Sequence, residues 1–137
     1  MSSNQPGVHR GEILHFLDDP ARVGETASYH YLEDGLLWIE NGRIEALGPA
    51  ASLLPQLPVD IPLIHHEGGL LLPGFIDCHV HYPQMEMVAA YGEQLLEWLQ
   101  TYTFPTERKF ADPGKARQVA DLFLDELLRN GTTTALV

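Results

Sequence analysis

The sequence predicts an α/β chain. Its first part builds one layer of a small β-sandwich, and its second part opens a β/α barrel. Three observations predict this. Asn41-Gly42 separates two apolar, β-prone runs. The run LLLPGFID is continuously apolar until it turns polar at its C-terminal end. A well-capped amphipathic helix over 113–130 leads directly into the β-branched stretch TTTALV.

Residues 12–17 (EILHFL) read as a short strand, and 18–28 carry the Asp, Pro and Gly of a loop. GLLWIENGRIEALG then reads as a hairpin, because both residues of a two-residue turn need positive φ and Asn-Gly supplies it. The turn sets the expected pairs: Ile39 with Ile44, Leu37 with Ala46, and Glu40 with Arg43 on the wet face. One buried and one solvated face is the pattern of a sandwich layer. Residues 49–62, rich in Pro and Leu, read as a helical turn and connector, and Ile61–Glu67 as one more short strand.

At Gly68-Gly69 the character changes, which divides the chain into an expected sandwich part (1–69) and an expected barrel part (70–137). LLLPGFIDCHVH suits a strand buried on both faces. A helix follows at 93–103, with Leu95, Leu96 and Leu99 at helical spacing and Pro105 expected past its end. The next helix has Asp112 as N-cap, Pro113 at N1 and Gly131 as stop. Its apolar stripe is Ala116, Val119, Ala120, Phe123, Leu127 and Leu128. Strand, helices and strand make one β/α unit and the start of the next. A complete barrel takes about 250 residues, so a chain of 137 residues reads as the front part of something larger.

Composition excludes several function classes. The net charge is −11 with only eight basic residues, which leaves no electropositive surface for nucleic acid or an anionic membrane. Cys78 is the single cysteine, so there is no intrachain disulfide and no CxxC zinc motif. No secretory leader or membrane span is apparent, and the expected setting is cytoplasmic.

The chemistry gathers in PGFIDCHVHYP. Along a strand Asp77, His79 and His81 share one face, while Ile76, Cys78 and Val80 share the other. Histidines two apart are about 6.6 Å apart at the backbone and can lean onto one ion at about 2.0–2.1 Å. Asp77 is placed to orient a histidine or to satisfy a backbone group. The plain alternative is a strand end whose histidines meet solvent. Placement at the C-terminal end of a buried strand, where barrels keep their chemistry, favours metal. His9, His15 and His30 lack partner spacing, and His65-His66 point to opposite faces. Cys78 reads as a buried apolar thiol. The cytidine-type zinc deaminases require H-x-E with P-C-x-x-C. His81 stands where that glutamate would be, so that class is excluded.

PGFIDCHVH resembles the first-strand signature of the amidohydrolase superfamily, metal-dependent hydrolases on a (β/α)8 barrel that often carry a composite β-sandwich. HVHYPQ followed by LLEWLQTYTFPTE is similar to the guanine deaminase branch, and GTTTALV to its second barrel strand. The resemblance runs through residues 11–137 and corresponds to the first third of such a protein. It implies hydrolytic deamination of guanine to xanthine and ammonia, by a water activated by one Zn2+ per subunit, within purine catabolism. It implies His79 and His81 as zinc ligands. His81, Tyr82, Pro83 and Gln84 would contact substrate, with Gln84 hydrogen-bonded to the purine and Trp98, Tyr102 and Phe104 as wall and packing. Without the resemblance Gln84 reads as a solvated loop amide. The family's remaining ligands and its acid/base groups would lie beyond Val137. Glu86, Glu93, Glu97 and Glu107 read as surface charges, not as the acid/base. The intact protein is expected to be a homodimer and the isolated chain inactive. Two alternatives stay open: an amidohydrolase acting on another amino-heterocycle, or a non-catalytic fragment.

Overall fold

The computed structural model describes residues 7–92 and 94–137; Glu93 lies outside them. The chain divides after Pro73 into two compact units.

The first unit is a four-stranded sheet in the order β3-β2-β1-β4. Its strands are β1 (Gly7–Phe16), β2 (Tyr29–Glu40), β3 (Arg43–Pro49) and β4 (Leu63–Leu71). β1–β2 and β2–β3 are antiparallel, and β1–β4 is parallel. Between β1 and β2 the short helix α1 (Pro20–Val23) is capped by Asp19, whose side chain accepts from the Ala21 N–H. The hairpin turn forms as expected, with φ of 52° at Asn41 and 73° at Gly42. Ile39 pairs with Ile44 and Glu40 with Arg43, but Leu37 faces Leu47 and Trp38 faces Ala46. A register shift between Trp38 and Ile39 moves every pair above it by one residue. Such an irregularity leaves the turn intact while re-aiming the strand beyond it.

One face of this sheet is covered by α2 (Ala50–Leu53) and the 3-10 turn Leu54–Gln56. Val8, Leu36 and Ala50 are fully buried, with Trp38, Leu53, Leu54, Leu57 and Ile61 packed on them. Burying a side chain such as Leu36 contributes about 1.5–3 kcal/mol. β4 is longer than expected: it runs through Gly68-Gly69 and takes Leu70 and Leu71 into this sheet, opposite Glu12 and Ile13.

In the second unit β5 (Phe75–Asp77) pairs in parallel with β6 (Thr132–Ala135). The strand expected over LLLPGFIDCHVH (70–81) is therefore shorter here. Pro73 carries no N–H for a ladder, and pairing begins where the Phe75 N–H reaches the Gly131 carbonyl at 2.8 Å. Beyond Asp77 the contact continues loosely, with the Leu136 N–H on the Asp77 carbonyl and the Val80 N–H on the Leu136 carbonyl. The expectation of burial on both faces does not hold within this unit. Phe75 and Ile76 are exposed, because the described helices of this unit do not cover the faces of β5. Cys78 is exposed as well.

The first helical stretch runs without a stop through Pro105. It comprises α3 (Leu95–Trp98), a π segment (Leu99–Thr103) and α4 (Phe104–Glu107). A proline inside a helix crowds the carbonyl four residues back and offers no N–H. The wider π turn before Pro105 takes up that mismatch, so the chain stays helical where a stop was expected. α5 (Pro113–Arg129) starts with the Asp112 side chain accepting from the Gly114 N–H and ends before Gly131 at φ 80°. Val119 and Phe123 are buried, while Leu128, expected on the same stripe, is 64% exposed.

Candidate active site

The site is built within the second unit, on the segment that leaves β5. His79 and His81 bring their Nε2 atoms to 3.0 Å, with the rings edge-to-face at 80°. The alternation of an extended chain produces this convergence; the backbone at His81 is extended, with φ −125° and ψ 103°. Asp77 Oδ1 accepts from the His79 N–H at 3.0 Å, which pins the bend where the strand ends. Two ring nitrogens approach this closely only if one carries the proton and the other a lone pair, or if both lone pairs meet a cation. Nitrogen donors at this spacing suit a zinc ion held at about 2.0–2.1 Å from each. Among the described residues no group of three His, Cys, Asp or Glu gathers there.

After His81 the chain turns into the 3-10 segment Tyr82–Met87. Pro83 sits in its first turn, and the Gln84 N–H closes onto the His81 carbonyl at 3.1 Å. Tyr82 packs edge-on against Phe110 and tilts over Phe123 of α5, fixing the segment to the helix. The histidines, Gln84, Met85, Trp98 and Phe123 line an open cleft of about 350 Å³. Trp98 is held as a wall by its Nε1–H, which donates to the Ala90 carbonyl at 2.9 Å. Tyr102 lines a neighbouring depression with Tyr91 and Glu97, and Phe104 lies beside Glu107 and Arg108.

The carboxylates divide. Glu86 is bound by the ammonium groups of Lys115 and Lys109. The Lys115 hydrogen bond, with help from Lys109, holds the Glu86 carboxyl below the usual range. Glu107 is not the free surface charge expected from the sequence: it is half-buried and accepts from Gln84 Nε2 at 3.2 Å. That partnership spans 23 residues, and no local pattern announces it. In the first unit, His9 also has a partner after all. Its Nδ1 lies 3.0 Å from His66 Nε2, with the rings stacked 5.2 Å apart. Parallel pairing of β1 with β4 brings these residues together, and no spacing in the chain encodes it.

Residues 70–137 match the model of the amidohydrolase family. The guanine deaminase of Escherichia coli (strain K12) is 47% identical over 126 residues, covering 92% of this chain and 28% of that protein. The probable guanine deaminase of Deinococcus radiodurans is 40% identical over 134 residues, covering 95% of this chain and 30% of that protein. The solved structure of the E. coli guanine deaminase superposes with a TM-score of 0.85 at 46% identity, covering 96% of this chain and 31% of that one. The chain thus spans about 30% of the length of the relatives it matches. It belongs to the amidohydrolase family, and its two units correspond to the N-terminal region of guanine deaminases.

Proposed function

We propose that the protein carrying this chain hydrolyses guanine, with water, to xanthine and ammonia, using a zinc ion held in part by His79 and His81. The observation that carries this reading is the convergence of the two Nε2 atoms at 3.0 Å on the wall of a cleft that also holds Gln84 and Trp98. Similarity to guanine deaminases along nearly the whole chain supports the choice of substrate. When bound, zinc supplies the Lewis acidity that brings a water's pKa toward neutrality.

The chain's own residues hold and orient. Asp77 ties down the backbone at His79, so both imidazoles keep one direction. Tyr82 and Pro83 stiffen the turn that carries Gln84. Gln84 meets a polar edge of the purine, and Trp98 flanks the ring; a flat heterocycle gains from an aromatic neighbour already immobilised by its own hydrogen bond. Moving the water proton to the leaving nitrogen needs a carboxylate near the reacting carbon. Glu86 and Glu107 are engaged elsewhere, and neither is given that role. The zinc, the homodimer and the cytoplasmic setting belong to the same proposal.

The test uses the intact protein. His79→Ala and His81→Ala are expected to lose stoichiometric zinc and guanine turnover together. Gln84→Ala is expected to keep its zinc and raise KM for guanine about fivefold, the scale of one neutral hydrogen bond. Full zinc content in both histidine variants would refute the ligand assignment. Unchanged guanine kinetics in the glutamine variant would refute the pocket assignment.

A further inference from the structure

We infer that Glu107 is a positioning residue for substrate selection: it locks the Gln84 amide with its nitrogen turned away from the cleft, so that the substrate is gripped by the carbonyl oxygen through one of its own N–H groups. This rests on the reading above in which Gln84 contacts the purine. A glutamine amide has a donor end and an acceptor end of nearly equal shape, and a half-turn of its last torsion exchanges them. Left alone, Gln84 would present either end, and the cleft would accept a ring N–H or a ring lone pair equally well.

Glu107 removes that freedom. Its Oε1 lies 3.2 Å from Gln84 Nε2, and both residues are half-buried. An ionised carboxylate only accepts hydrogen bonds. The turned-over amide would set carbonyl against carboxylate at the same separation, two acceptors without a proton between them, in a site partly shielded from water. Such a mismatch is costly relative to the paired arrangement. One of the two N–H donors of the amide is therefore committed to Glu107, and the nitrogen end stays on that side. Gln84 lines the cleft beside His79 and His81, whereas Glu107 lines a separate depression with Phe104 and Arg108. The two residues are also carried by different elements, the turn after His81 and the end of α4. The amide is thus held from behind, with its oxygen left for the ligand.

In chemical terms the cleft is an acceptor site. It favours a lactam or amidine edge, which offers N–H, over a ring nitrogen that offers a lone pair. Discrimination of this kind is steep because the mismatched ligand leaves a polar group unpaired.

The experiment measures guanine kinetics and zinc content in the intact enzyme for Glu107→Gln, Gln84→Ala and the double variant. Glu107→Met runs in parallel, so that a folding failure of one substitution does not decide the outcome. A glutamine at 107 can face Gln84 with either end, and a methionine with neither, so the amide is released in both. The expected result is a KM for guanine raised about threefold to tenfold, the scale of one hydrogen bond, with kcat within about twofold and zinc content unchanged. In the Gln84→Ala background the substitution at 107 should add nothing, since a residue acting only through Gln84 has no further effect once that amide is gone. In a guanine complex the ring atom nearest the Gln84 amide should be an N–H. If Gln84→Ala raises KM while both Glu107 variants leave it unchanged, the inference fails and the pocket reading stands. An undiminished Glu107 effect in the Gln84→Ala background, or a ring lone pair or carbonyl oxygen against the amide, overturns it as well. If Gln84→Ala leaves guanine kinetics untouched, the pocket reading and this inference fall together.

Discussion

Gly92 shows how closely single residues shape the cleft. A Cβ added there would come within 2.5 Å of Trp98 Cδ1 and 2.8 Å of Trp98 Cβ. The indole cannot yield freely, because its Nε1–H is held by the Ala90 carbonyl. Gly92→Ala is therefore expected to displace the ring, at a cost of about 1–3 kcal/mol for overpacking. The Trp98 ring should leave its place beside residue 92 in a crystal structure of the variant, and the unfolding midpoint should fall. If neither moves, the indole has room that the geometry denies it. At this scale the sequence is legible where chemistry follows backbone alternation, as it does for His79 and His81. It is opaque where the partner is distant. Nothing near His9 points to His66, and nothing near Glu107 points to Gln84. Cys78 departs from the buried thiol its strand position suggests for a related reason: burial there needs cover that residues 74–137 do not supply.

Among the elements, α5 is the one whose ends the sequence states most openly. Asp112 accepts from the Gly114 N–H at 2.9 Å, Pro113 follows it, and Gly131 takes the left-handed turn at the far end. Asp112→Ala is expected to cost about 0.5–2 kcal/mol, read as a lower urea midpoint with unchanged slope. An unaltered midpoint would mean that the cap contributes nothing. The hairpin is nearly as open, because Asn41-Gly42 dictates its own turn and the two pairs beside it. The shift above Ile39 is hidden, for it depends on how β2 is shared between β3 and β1. Pro105 misleads for a different reason: a proline is a local stop signal, yet the π turn before it absorbs the strain. The run 70–81 reads as one strand because its apolar residues are alike, whereas Pro73 parts them between two sheets.

Over the molecule as a whole, acid should act on the first unit in two stages. Burial, and next the neighbouring His66, hold His9 below its ordinary value of 6.5. Between that lowered value and 6.5 the unfolded chain binds the extra proton, so stability rises with pH across this window and falls on acidification through it. At lower pH the carboxyls of Asp18 and Asp34 follow. Arg22 and Arg10, hydrogen-bonded to them, hold both below the usual range. Their contribution is complete above the ordinary carboxylate range and is lost as pH falls through the lower folded values. The denaturation midpoint is expected to decline from pH 7 to 5 in the native chain, and less steeply in His9→Gln. Parallel profiles for the two would remove His9 from this role.

The parallel partnership that creates the His9–His66 contact also sets a timetable. β1 meets β2 soon after it is made, but its other edge waits for β4, where Val8 pairs with Leu63. A chain emerging from the ribosome N-terminus first therefore carries β1 with a bare edge while the hairpin and α2 are already forming. Closing so long a loop is entropically slow compared with making a hairpin. Until β4 arrives, any extended segment nearby competes for that edge. Correct assembly of the unit depends on the order in which its strands become available.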